Sequence, residues 1–125
     1  MWYTHYVQTS DRALRISNRS KTLSNKGDTL MISDREKANI QQFYRAVLEL
    51  KTPEECEMFF DDISTIKELL DMGARLEVAR MLDEGKVFND ISKETGASSA
   101  TISRVNKCLG YGPGGYRLVL DRLKK

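Results

Sequence analysis

Three times between Ser33 and Glu68 a Ser or Thr is followed three positions later by a Glu: Ser33 with Glu36, Thr52 with Glu55, and Thr65 with Glu68. Each pair is the signature of a capping box. The hydroxyl accepts the amide of the third helical residue and the carboxylate returns to the amide of the cap, so donors that a helix start would leave orphaned are satisfied. Pro53, at the first helical position after Thr52, strengthens the second start. Three helix beginnings are therefore expected in close succession, and the apolar residues that follow keep helical time. The first helix, about 34 to 51, carries Ile40, Phe43, Tyr44, Val47 and Leu48 as one stripe. The second, near 53 to 63, repeats it with Cys56, Phe59, Phe60 and Ile63. Both stripes call for an apolar partner. No alternating strand pattern competes anywhere, and the fold class expected is all-α.

The third helix, about 66 to 84, is different in kind. Ile66, Leu69, Leu70, Met72, Leu76, Val78, Ala79, Met81 and Leu82 occupy most of its circumference, which predicts burial on several sides. A domain this small has limited core, so a second subunit is expected to supply part of the cover. Gly85 ends this helix. A short helix follows from Val87 to Glu94 with Val87, Phe88 and Ile91 turned inward. After a glycine-rich break, Gly110 to Gly115, a last helix near 115 to 124 places Tyr116, Val119, Leu120 and Leu123 on one face.

Between these lies Gly96 to Arg104, GASSATISR, which reads as the turn and second helix of a helix-turn-helix. Gly96 can take the positive φ needed just past a helix end, Ser98 can cap the next helix, and Ile102, Val105 and Leu109 recur on one buried face. The opposite face carries Ala100, Ser103, Arg104 and Lys107. Small, polar and basic residues on one helical face suit entry into a major groove, with hydroxyls near base edges and cations near phosphates. The sites expected to contact DNA are Ser98, Ser99, Ala100, Thr101, Ser103, Arg104 and Lys107. Charge is distributed to match. Residues 96–125 hold Arg104, Lys107, Arg117, Arg122, Lys124 and Lys125 against the single carboxylate of Asp121, whereas 31–95 are net acidic. A phosphate footprint needs such polarity, although a solvated face would look the same.

Enzymatic chemistry finds no foothold. The lone histidine, His5, sits near the N-terminus beside Trp2 and Tyr3, far in sequence from any candidate nucleophile, and no HExxH, GxSxG or P-loop pattern occurs. The Gly110–Gly115 run lacks the preceding strand and the Lys-Ser or Lys-Thr of a phosphate cradle, so it reads as a hinge or turn. Paired acids such as Glu54–Glu55 and Asp61–Asp62 read as solvated helix faces. Cys56 and Cys108 have no metal-ligand spacing and are expected as reduced thiols at packed helix positions. No cofactor, metal or catalytic residue is expected. With no apolar run long enough for a membrane span and no secretory-signal core, a cytoplasmic protein is expected. The first thirty residues, rich in Ser, Thr, Asn, Lys and Arg, read as a poorly ordered extension: a basic arm touching DNA, a presequence, or a leader upstream of a start at Met31. Residues 31–125 form the expected helix-turn-helix domain.

The run from TIKELLDMGARLEVARMLDEG through ISKETGASSATISR to YRLVLDRL resembles the tryptophan-repressor superfamily, and within it the trp-repressor-related YerC/YecD family. The resemblance spans about residues 34 to 124. It implies a six-helix domain, an intertwined homodimer with two reading heads, and base reading at Ser99, Ala100 and Ser103, with Thr101 beside them. It also implies a corepressor site bracketed by Arg75 and Arg104. Val105, however, stands where the tryptophan repressor has a glycine that leaves room for the ligand, and Cys108 replaces a pocket serine. A branched side chain then fills the space meant for indole, and no response to tryptophan is expected; Arg75 serves equally well as a structural or phosphate-facing cation. The stretch between Gly85 and Gly96 is also one residue shorter than in the repressor.

The function expected is therefore a sequence-specific DNA-binding transcriptional regulator, a repressor acting as a homodimer on double-stranded DNA. Two alternatives stand beside it. One is a dimeric protein-interaction module in which the motif is only a packing corner; the other is an amino-acid-responsive sensor using the space between Arg75 and Arg104.

Overall fold

The computed structural model describes residues 31–125, so the extension or leader expected over 1–30 lies outside the described residues. The chain divides into two units, one ending at Lys51 and one running from Thr52 to Lys125. In the first, helix α1 spans Asp34–Leu48. Its capping box is complete: the Ser33 hydroxyl accepts the Glu36 amide at 3.2 Å and the Glu36 carboxylate accepts the Ser33 amide at 2.7 Å. That backbone hydrogen bond holds the Glu36 carboxyl below its ordinary range. The helix stops three residues short of the periodicity's limit. Glu49 shares its amide between the carbonyls of Ala46 and Val47, a tightening that begins the exit. Pro53 then excludes helical geometry at Thr52, which is extended at φ −129°. Of the α1 stripe, Ile40, Tyr44 and Leu48 are exposed while Phe43 and Val47 are half-buried.

The second unit contains α2 (Pro53–Ile63), α3 (Ile66–Asp83), α4 (Phe88–Thr95), α5 (Ser99–Tyr111) and α6 (Gly115–Leu123). No strand occurs among the described residues. At α2 only the hydroxyl half of the expected box forms, Thr52 Oγ1 accepting the Glu55 amide at 3.1 Å. At α3 the box is complete, Thr65 with Glu68, at 3.2 and 2.7 Å. Helix α3 closes in a Schellman motif at Gly85, with the Lys86 amide on the Met81 carbonyl and the Gly85 amide on that of Leu82, both at 3.0 Å.

The core gathers around the C-terminal half of α3, which packs on α4, α5 and α6. Val78, Ala79 and Met81 of α3 meet Ile91 of α4, Ile102 and Val105 of α5, and Leu120 of α6. Leu76, Leu82, Ala97 and Tyr116 close its edges. Each large side chain buried here contributes roughly 1.5–3 kcal/mol. The buried stripe expected on α5, Ile102, Val105 and Leu109, is observed.

Within one chain α3 is buried on several sides only in its second half: Ile66, Leu70 and Met72 of the first half are 71, 64 and 42% exposed, and a second subunit is expected to supply part of the cover. Two expectations are corrected. Helix α4 begins at Phe88, with Val87 as an extended cap residue; Val87 and Phe88 are exposed, and Ile91 alone of the three is buried. Cys56 and Cys108 are free but exposed, not packed; Cys108 sits on α5 between the buried stripe and the outer face.

Candidate nucleic-acid interface

The junction between α4 and α5 is held by short-range hydrogen bonds that set one helix against the other. Gly96 ends α4 in the left-handed region at φ 69°, ψ 4°, where an L side chain is strained, and its amide reaches the Ser92 carbonyl at 2.9 Å. Two hydroxyls then lock the turn. Thr95 Oγ1 donates to the Ile91 carbonyl at 2.7 Å and accepts the Ala97 amide at 3.2 Å, while Ser92 Oγ donates to the Ala97 carbonyl at 3.1 Å. The Gly96 and Ala97 amides and the Ala97 carbonyl thereby find partners inside the bend, which gives α5 a defined take-off direction. Buried Ile91 and Ile102 anchor the two helices to α3 from either side of the turn.

Ser98 caps α5 in extended geometry, its hydroxyl accepting the Thr101 amide at 3.2 Å and donating to Thr101 Oγ1 at 3.1 Å. Among the expected contact residues, Ser98, Ser99, Ala100, Ser103, Arg104 and Lys107 are exposed, and Thr101 is half-buried with its hydroxyl turned to the cap. The structure brings Ala100, Ser103, Arg104 and Lys107 onto the side of α5 opposite Ile102, Val105 and Leu109. No acid lies in the first turn of α5, and none anywhere along the helix. Among the described residues, Arg104 and Lys107 form no ion pair, which leaves both cations free for an external anion.

The charges of α6 behave otherwise. Arg117 Nη1 and Lys124 Nζ both contact the carboxylate of Asp83, at 3.2 and 2.7 Å, and tie α6 to the end of α3. The Lys124 hydrogen bond, with Coulombic help from Lys124 and Arg117, holds the Asp83 carboxyl low; reciprocally, Asp83 raises Lys124. Two of the six basic residues of 96–125, Arg117 and Lys124, are thus paired within the chain, whereas no ion pair is seen for Arg104, Lys107, Arg122 and Lys125 among the described residues. Asp83 gave no local sign of this role, since its partners lie 34 and 41 residues away. Thr95 belongs to the spacing Ile-x-x-x-Thr-Gly-x-Ser that leads into the turn, whereas Ser92 was missed; a hydroxyl four residues before a helix-ending glycine is the signal that marks it.

Arg75 on α3 and Arg104 on α5 are both exposed. Val105 is 3% exposed and belongs to the core cluster. Its branched side chain fills space next to α3, where a ligand site between the two arginines would need room. Among the described residues, no cluster of three or more His, Cys, Asp or Glu could hold a metal ion, and no helix is long and apolar enough to cross a membrane.

The Trp repressor protein family matches residues 38–124, from within α1 to the end of α6. The chain belongs to the Trp repressor family. It is 52% identical over 86 residues to YerC, an uncharacterized protein of Bacillus subtilis (strain 168), covering 69% of this chain and 83% of that one. Among solved structures it is similar to a TrpR-like protein from Eubacterium eligens ATCC 27750, at 47% identity and TM-score 0.68, covering 70% of this chain and 90% of that one. A candidate Trp repressor from Staphylococcus aureus matches at 40% identity and TM-score 0.68, covering 74 and 95% of the two chains. The six described helices thus have the Trp repressor fold, in a family of regulators rather than enzymes.

Proposed function

We propose that this Trp repressor family protein is a sequence-specific DNA-binding transcriptional regulator that represses by occupying promoter DNA as a homodimer. The observation that carries the reading is the outer face of α5: exposed Ala100 and Ser103 beside Arg104 and Lys107, two cations without internal partners on a helix without acids. Inserted in a major groove, Ser99, Ala100 and Ser103 meet base edges and Arg104 and Lys107 meet phosphates. The amide end of α5, capped by Ser98 and close to Thr101, adds a favourable dipole for a phosphate at the groove edge.

The exposed apolar side chains of α1, α2 and the first half of α3 support the homodimer. Tyr44 and Leu48 of the first unit, and Met58, Ile63, Ile66 and Leu70 of the second, are each more than half exposed in the single chain. A second copy covering these segments presents two α5 helices to successive major grooves about 34 Å apart. Because Val105 of α5 is packed in the core, DNA binding in this reading does not require tryptophan.

Equilibrium binding to mixed-sequence duplex DNA across a salt series tests the proposal. Affinity falls linearly on a logarithmic salt scale, and Arg104→Ala weakens binding on every sequence while lowering the slope by about one. Absence of salt-dependent binding by the parent chain would refute it.

A further inference from the structure

The outer stripe of α5 does not stop at Lys107. Counted along the helix, Ala100, Arg104, Lys107 and Tyr111 follow one another at spacings of four, three and four, and Tyr111 returns to within about 20° of the direction of Ala100. Tyr111 is 91% exposed, as exposed as any large hydrophobic residue among those described. It is the last residue of α5. The helix ends there because Pro113 excludes helical geometry at Gly112, which is extended at φ −75°, ψ −176° after its amide has made the last helical bond, to the Cys108 carbonyl at 2.8 Å. Extended Gly112 then turns the chain away, so Tyr111 stands at the helix end with nothing packed over it.

The distance matters as much as the direction. From Ala100 to Tyr111 the helix rises about 16 Å, while a major groove is about 12 Å wide. A helix whose first turn lies among the bases therefore brings its last turn to the lip of the groove, where the sugar-phosphate backbone runs. The C-terminal carbonyls of a helix repel a phosphate placed on the axis, and α5 has no basic residue in its last turn. A contact at this end must come from a side chain that reaches sideways and donates. Tyr111 has an apolar ring suited to a deoxyribose face and a phenolic hydroxyl that donates to a phosphate oxygen. We propose that Tyr111 is a further DNA contact, anchoring the C-terminal end of α5 to the sugar-phosphate backbone at the groove lip while the first turn reads bases.

This inference rests on the DNA-binding function proposed above, and the experiment separates the two. Full-length parent, Tyr111→Phe, Tyr111→Ala and Lys107→Ala are titrated against the same fluorescent mixed-sequence duplex at several salt concentrations. Tyr111→Phe is expected to weaken binding about 2- to 10-fold, the net worth of one hydrogen bond, and Tyr111→Ala more. Neither changes the salt slope, because no charge is removed; Lys107→Ala lowers it by about one. Thermal midpoints of both Tyr111 variants stay at the parent value, since the ring is solvent-exposed. Parent binding with unchanged affinity in Tyr111→Ala overturns the assignment to Tyr111 alone. A Tyr111→Ala protein that binds DNA normally but sediments differently overturns it in favour of a subunit contact. Failure of the parent to bind removes both proposals.

Discussion

Replacing Gly96 by alanine isolates one physical quantity, because the added methyl group meets nothing within 4 Å and the backbone is left-handed at φ 69°. No steric clash enters. What remains is the cost of holding an L-residue in the left-handed region, about 1–2 kcal/mol, set against the smaller conformational freedom of alanine in the unfolded chain, which returns about 0.4–1 kcal/mol. The net expectation is destabilisation by about 1 kcal/mol, a drop in thermal midpoint of roughly 4–8 °C for a domain of this size. Asparagine tolerates the left-handed region better, so Gly96→Asn loses about half as much. Gly110 supplies the opposite case: it lies inside α5, has ordinary helical φ and also faces open space. Gly110→Ala is expected to stabilise by about 0.5–1 kcal/mol. Thermal melts followed by circular dichroism at one fixed protein concentration measure all three. If Gly96→Ala melts at or above the parent temperature, or Gly110→Ala falls with it, the assignment of strain to the turn is wrong.

Ile91 is fully buried between α4 and the core, so Ile91→Ala should cost about 2–5 kcal/mol by urea unfolding. The Asp83 carboxyl is held below its ordinary range chiefly by the Lys124 hydrogen bond; its contribution is complete above the ordinary carboxylate pKa and disappears as pH falls through the lowered native value. Asp83→Asn should therefore flatten the acid-side decline of the thermal midpoint. Tryptophan at millimolar concentration should leave the thermal midpoint unchanged, because Val105 is packed in the core; a concentration-dependent rise would restore a corepressor site between Arg75 and Arg104.

Helix starts were legible from sequence because capping is a local contract between residues three apart, and Ser33, Thr52, Thr65 and Ser98 all cap as their spacing suggests. The turn at Gly96 was legible for the same reason, since only its φ had to be foreseen. Periodicity correctly selected Ile102, Val105 and Leu109 as the inner face of α5. Amphipathicity alone does not say what covers a stripe: Val87, Phe88 and Cys56 were expected inward and are exposed, because a period records apolar content and not the presence of a neighbour. The pairing of Asp83 with Arg117 and Lys124 joins residues brought together only by the packing of α6 on α3. No short sequence window contains Asp83 and either cation, and counting charges along the chain consequently does not tell which cations are paired within it.

The central claim, that the outer face of α5 reads DNA in a symmetric dimer, is tested most directly by selecting bound sequences from a random duplex pool at moderate salt. The account predicts an enriched inverted repeat whose half-site centres lie about one helical turn apart, with preferences that shift when Ser99 or Ala100 is changed and persist, at lower affinity, in Arg104→Ala. Recovery of no enriched sequence, or of one indifferent to Ser99 and Ala100, would contradict it.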